Sequence, residues 1–109
     1  MPNAFPAPPY YIVAFSSQRR EADHLAYDAM SDKMVELAQE QPGFIGFDSA
    51  RGNDGFGITN SYWENEEAIR AWKRNVDHLA AQHLGRENWY EAYDVRIGRI
   101  DRAYGFGRK

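Results

Sequence analysis

Trp63 and Trp72 lie in the segment PGFIGFDSARGNDGFGITNSYWENEEAIRAW, the first ending an alternating run and the second sitting in the helix that should follow. Indoles so placed serve either as helix–sheet packing or as a wall of an aromatic pocket between the two layers. His78, in NVDHLAAQH, is the candidate base or acid, since imidazole ionises near neutrality. Its direction depends on the helix that carries it. On an unbroken helix it faces solvent, opposite Ile69, Trp72 and Val76; if the helix breaks at Asn75, which is able to cap a second short helix, it turns inward. His83 falls on the apolar stripe, as a satisfied core histidine or a pocket residue, and His24 sits in a loop. His78 and His83 miss the i, i+4 spacing of helical zinc pairs, so no metal is expected. Gly52, Gly55 and Gly57 join two strands with no helix start behind them, which suits a turn and close packing rather than a phosphate cradle. Ser16, Ser17, Ser49 and Ser61 lie in strand-like runs without a nucleophile elbow, which argues against a hydrolase triad. Asp48 and Arg51, and the run Arg96, Arg99, Asp101 and Arg102, read as solvated or ion-paired faces. Tyr90, Tyr93 and Tyr104 suit a core or an interface, with hydrogen bonding into a pocket as the alternative.

These residues need elements to position them. Four prolines crowd residues 1–9, which predicts an extended arm that crosses a partner or stays disordered. Residues 10–109 then form one domain, in keeping with the length. Tyr10 to Ser17 is aromatic and β-branched and reads as a strand, with Tyr11, Val13 and Phe15 on one face and Tyr10, Ile12 and Ala14 on the other. Gln18 to Asp23 reads as loop. A helix is expected over about Leu25 to Gln41, with Tyr27, Met30, Met34, Leu37 and Ala38 on one stripe, ended by Pro42-Gly43. Phe44 to Ala50 and Phe56 to Trp63 are strands around an Asp54-Gly55 turn. Ile45, Phe47 and Ser49 share a face, as do Phe56, Ile58, Asn60 and Tyr62. Asn65 is the expected N-cap of a helix reaching Leu84, with Gly85 at its C-cap and Arg86 to Asn88 as connector. Trp89 to Tyr104 is the last strand, where Gly98 marks a bulge that switches the face.

The order β-α-β-β-α-β is an α+β, ferredoxin-like subunit: an antiparallel sheet with both helices on one face. The other face stays apolar, and a patch of that size asks for cover. A two-fold homodimer, sheet against sheet, is the simplest closed solution.

Composition narrows the classes. The net charge is -3 with signs interspersed and no basic stripe, so nucleic acid is not an expected partner. There are no cysteines, which removes disulfides and thiolate chemistry and is compatible with a cytoplasmic setting. No apolar run suits a signal peptide or a membrane span, so no membrane partner is expected.

The segments PGFIGFDSARG, GITNSYWENEEAIRAW, HLAAQHLGRENWYEAY and RIDRAYGF together resemble the antibiotic biosynthesis monooxygenase family, over most of the chain after residue 40. The resemblance implies a dimeric α+β barrel of ferredoxin-like subunits and a pocket between helices and sheet near Trp63. It implies a monooxygenase acting without cofactor on a small aromatic phenol or quinol; joined to the residue reading, this gives a pocket of Trp63, Trp72, Thr59, Asn75, His83 and Phe15 with His78 as the expected base. Thr59 stands where polyketide oxygenases of the family carry an asparagine, four residues before the tryptophan. Haem-degrading relatives use an asparagine on the first strand, where this chain offers Phe15, Ser16 and Ser17, and a helical histidine whose place Gln82 and His83 flank. The alternatives are a non-enzymatic dimeric module holding a small ligand or serving in stress, and haem binding or degradation.

Overall fold

A computed structural model of the protein describes residues 5–20, 24–82 and 90–107. The elements are β1 (Tyr10–Arg19), α1 (His24–Gln39), β2 (Phe44–Arg51), β3 (Phe56–Trp63), α2 (Glu66–Gln82) and β4 (Tyr90–Ile100). The strands form one antiparallel sheet ordered β2-β3-β1-β4. This is the α+β ferredoxin-like subunit that the element order predicts. β1, the most aromatic and β-branched strand, takes a central place and pairs on both edges, as such residues favour.

The local reasons are visible at each joint. Gly52 N–H donates to the Phe56 carbonyl (2.8 Å) and Asp54 Oδ1 accepts the Phe56 N–H (3.0 Å), closing the β2–β3 hairpin. Asn65 Oδ1 accepts the Ala68 N–H (2.8 Å), so it caps α2, and Glu66 and Glu67 place negative charge in the first turn. α2 then runs without a break. Ile69 is buried and Trp72 and Val76 are half-buried along its inner stripe, while Arg70, Lys73, Arg74 and His78 are exposed. On α1, Ala38 is buried and Met34 and Leu37 half-buried.

One face of the sheet meets the helices. Trp63 is fully buried there, stacked on Trp72 of α2 (centroids 6.0 Å) and edge-on to Phe44 (5.3 Å). Its Nε1–H donates to Ser61 Oγ (2.9 Å), which satisfies the buried indole. The opposite face carries Tyr10, Ile12, Ala14, Phe56, Ile58 and Tyr62, with Phe56 and Ile58 46% and 45% exposed. Its β2 end is roofed by the chain's own arm. Phe5 packs on Tyr62 (4.7 Å) and Tyr10 (5.9 Å), and a Cβ on Gly46 would stand 2.8 Å from the Phe5 ring.

Four expectations shift. β1 continues through Gln18 and Arg19, because Gln18 pairs with both Phe56 and Ala92 and Arg19 N–H donates to the Gly55 carbonyl (3.0 Å). The register between β1 and β4 is even past Gly98. The irregularity falls instead at Gln18/Arg19, and Ile100 simply shares the face of Tyr10. β4 ends at Ile100 rather than Tyr104; Tyr104 and Phe106 are fully exposed. The β2–β3 register shifts between Phe44 and Gly46, so Ile45 falls out of the alternation while Phe47 and Ser49 pair with Ser61 and Thr59. The loop at 21–23, Leu84, Gly85, the connector to Asn88 and Trp89 lie outside the described residues, as do the side chains of Tyr27, Met30 and Leu79.

Candidate functional site

Strand register fixes what the helix-facing side of the sheet presents. Reading across β2, β3, β1 and β4, the first row is Arg51, Gly57, Ser17 and Tyr93. The next is Ser49, Thr59, Phe15 and Val95, and the third is Phe47, Ser61, Val13 and Ile97. The last is Phe44, Trp63, Tyr11 and Arg99. In the first two rows β2 and β3 therefore bring the Arg51 guanidinium and the Ser49 and Thr59 hydroxyls, while β1 and β4 bring Phe15, Tyr93 and Val95 beside the Ser17 hydroxyl.

The β4 side is open. Tyr93, Val95 and Ile97 are 38%, 48% and 53% exposed although they share the face of the fully buried Trp63. A groove of about 310 Å³ lies between the start of α2 and β4, lined by Tyr11, Glu66, Ile97, Gly98 and Arg99. Farther along the same face, Phe15 packs on Tyr90 (5.5 Å, edge-on) and Tyr93 (5.6 Å), and the two tyrosines meet each other at 6.0 Å. Phe15 and Tyr93, inclined at 31°, form a floor whose faces suit a planar ligand, and Tyr90 stands edge-on to both as a wall.

The polar side is ordered. Ser49 Oγ and Thr59 Oγ1 are hydrogen-bonded at 2.8 Å. Arg51 crosses the bare backbone of Gly57, donating from Nη2 to Ser17 Oγ (3.0 Å), from Nη1 to the Ser17 carbonyl (3.4 Å) and also to the Gly55 carbonyl. Ser17 is 2% exposed beneath it.

The predicted residues separate into two groups. Phe15, Thr59 and Trp63 share the helix side of the sheet, Thr59 directly across from Phe15 and Trp63 four residues further along β3 against Trp72 of α2. Trp63 is sealed in the core against Phe44 and Trp72, where it packs the helix onto the sheet. His78 and Asn75 are elsewhere. An inward His78 required a break at Asn75, and α2 is continuous through Gln82, so His78 is exposed, on the side of the helix away from Ile69. Asn75 is exposed too; its Nδ2 donates to Gln41 Oε1 (3.1 Å) and to the Ala71 carbonyl (3.2 Å), which ties α2 to the turn after α1. His83 lies outside the described residues. Nothing in the sequence marks Ser17, Ser49 or Arg51 themselves as site residues, and Tyr93 reads there first as a core or interface tyrosine, with the pocket as the alternative. Arg51 is no partner of Asp48, which shares the opposite face with Tyr62 and accepts its hydroxyl at 3.4 Å. Glycine at 57, across the hairpin from Arg51, was the signal for a side chain lying over the strand.

Comparison with known proteins agrees with this architecture. The family model described as antibiotic biosynthesis monooxygenase matches residues 9–84. YqjZ, an uncharacterized protein of Bacillus subtilis (strain 168), is 48% identical over 97 residues, covering 89% of this chain and 84% of its own. Among solved structures, SnoaB of Streptomyces nogalater, a cofactor-independent oxygenase, superposes with a TM-score of 0.66 at 11% identity, covering 93% of this chain and all of its own. The Shewanella oneidensis protein SO0527 gives 0.70 at 10% identity, over 88% of this chain and 96% of its own.

Proposed function

The chain belongs to the antibiotic biosynthesis monooxygenase family, and from that premise we propose that it oxidises a small phenol or quinol with dioxygen, using no cofactor, on the helix-facing side of its sheet. The observation that carries this reading is the floor of Phe15 and Tyr93, walled by Tyr90, with Phe15 in register beside the Ser49–Thr59 hydroxyl pair. An aromatic ring stacks on the first, and its hydroxyl reaches toward the second.

The chemistry asks little of the protein beyond binding and charge placement. Loss of the phenolic proton makes the ring electron-rich. Dioxygen then adds at a ring carbon bearing hydrogen, forming a C–OOH group. Elimination of water leaves a carbonyl, so one oxygen atom enters the product and the other leaves as water. The substrate supplies the electrons, and no outside reductant enters. Donors fixed on the anionic oxygen before reaction favour the ionised form at no further ordering cost. His78, exposed on the outer side of α2, has no part in this scheme.

Oxygen uptake with a panel of hydroxylated aromatics tests the proposal. One dioxygen is expected to disappear per substrate oxidised. Phe15→Ala should slow the reaction about tenfold, the equivalent of about 1.4 kcal/mol of lost ring contact. His78→Ala should match the parent rate. Ligand-dependent thermal stabilisation with no uptake would make the protein a binding module; neither response would end the reading altogether.

A further inference from the structure

We infer that Arg51 is the residue that recognises the ionised oxygen of the substrate, its guanidinium laid across Gly57 to the edge of the aromatic floor. The inference rests on the site proposed above and gives that site a charge preference: an aromatic ligand bearing a phenolate or another acidic oxygen, ahead of its neutral counterpart.

The Arg51 side chain runs inward over the sheet. Its Nη2 stands 3.0 Å from Ser17 Oγ on β1, with the whole of β3 between the two strands. Strand spacing makes that a reach of about 10 Å. Gly57 makes it feasible: a Cβ there would come within 2.6 Å of Arg51 Cζ, so any side chain at this position would drive the guanidinium off the sheet. The planar fork is held at both nitrogens, by the Ser17 hydroxyl and by the carbonyls of Ser17 and Gly55.

This places a permanent cation, which no pH in the working range neutralises, over β1. The next residue of the same face along β1 is Phe15, about 7 Å away by strand rise. The next strand across in the same row contributes Tyr93, about 5 Å away. A ring lying on Phe15 and Tyr93 brings its oxygen to the guanidinium. The Ser49–Thr59 pair, one row along, adds hydroxyls on the same side. Among the described residues, Asp54 in the hairpin turns its carboxylate to the Phe56 amide, Arg19 closes β1 beside Gly55, and Asp94 of β4 is in register with Ser16 and so belongs to the opposite face.

A chromophoric phenol reads the effect directly. With p-nitrophenol bound to the whole protein, the phenolate absorbance titrated against pH should show its midpoint about one pH unit below that in water, the direction set by a cation near the oxygen. Arg51→Gln should return the midpoint to its value in water, and Gly57→Ala, by displacing the guanidinium, should do the same. Arg51→Lys should keep part of the shift. The neutral ether p-nitroanisole should bind equally to the parent protein and to Arg51→Gln. A bound phenol that ionises as in water in the parent protein, or a shift that survives Arg51→Gln, overturns the assignment while leaving the aromatic site standing. Failure of both the phenol and the ether to bind the parent protein overturns this assignment and the proposed function together.

Discussion

Tyr62 shows how a side chain's face can be legible while its neighbours are not. Alternation alone put it with Phe56, Ile58 and Asn60, and the register agrees. What alternation does not carry is its company: the Phe5 ring from the arm and the Asp48 carboxylate across the β2–β3 pair. Burial, and after it the charge of Asp48, push its phenol above the ordinary tyrosine value. The folded state therefore holds this proton more tightly than the unfolded chain does. That contribution to stability is complete below about pH 10 and is lost as pH rises through the folded value. Denaturant melts between neutrality and strongly alkaline pH should show stability falling above about pH 10, and Tyr62→Phe should flatten that fall. Arg51 illustrates the converse. A charged residue beside a turn reads as solvated, since the sequence records its type and not the missing Cβ opposite, which is what lets it lie down.

The elements were the most readable level, because period and punctuation agree there. The Asp54-Gly55 turn, the Pro42-Gly43 stop and the Asn65 cap each sit where a chain must change direction, and each is found so. Asn65→Ala should cost about 1 kcal/mol, read from chemical denaturation, because the Ala68 amide loses its acceptor. Asn75 carried the same capping chemistry but stands mid-helix, where its side chain bonds Gln41 instead. A cap residue marks a helix start only when the backbone before it is free to leave the helix. The apolar spacing of Ile69, Trp72 and Val76 runs straight through that point. The orientation of His78 depended on that one distinction. β4 stops short of Tyr104 for a related reason: β1 begins at Tyr10, which pairs with Ile100, so no β1 residue lies opposite those that follow.

At the scale of the molecule, the element order already implies that one sheet face lacks helices, and among the described residues no helix lies on it. Phe56 and Ile58, nearly half exposed, lie on it with Ile12 and Ala14. We propose that a second copy of the chain covers this region, since burying such a surface contributes about 25 cal/mol per Å². Sedimentation at micromolar concentration should give a dimer for the parent chain, and Ile58→Asp should shift it toward single subunits with its helical signal intact. A parent chain that sediments as one subunit at that concentration would refute the dimer. The sequence did not foretell that the chain's own leading segment takes part of the same face, because prolines announce an extended arm but not where it lands.

With Phe5 seated against Gly46, the uncovered surface is lopsided: roofed toward β2, bare toward the hairpin tip. Whatever settles there meets a step rather than a plain, so it must arrive displaced to one side. A clasp between equals across such a ledge has its offset set by each molecule before the two ever meet.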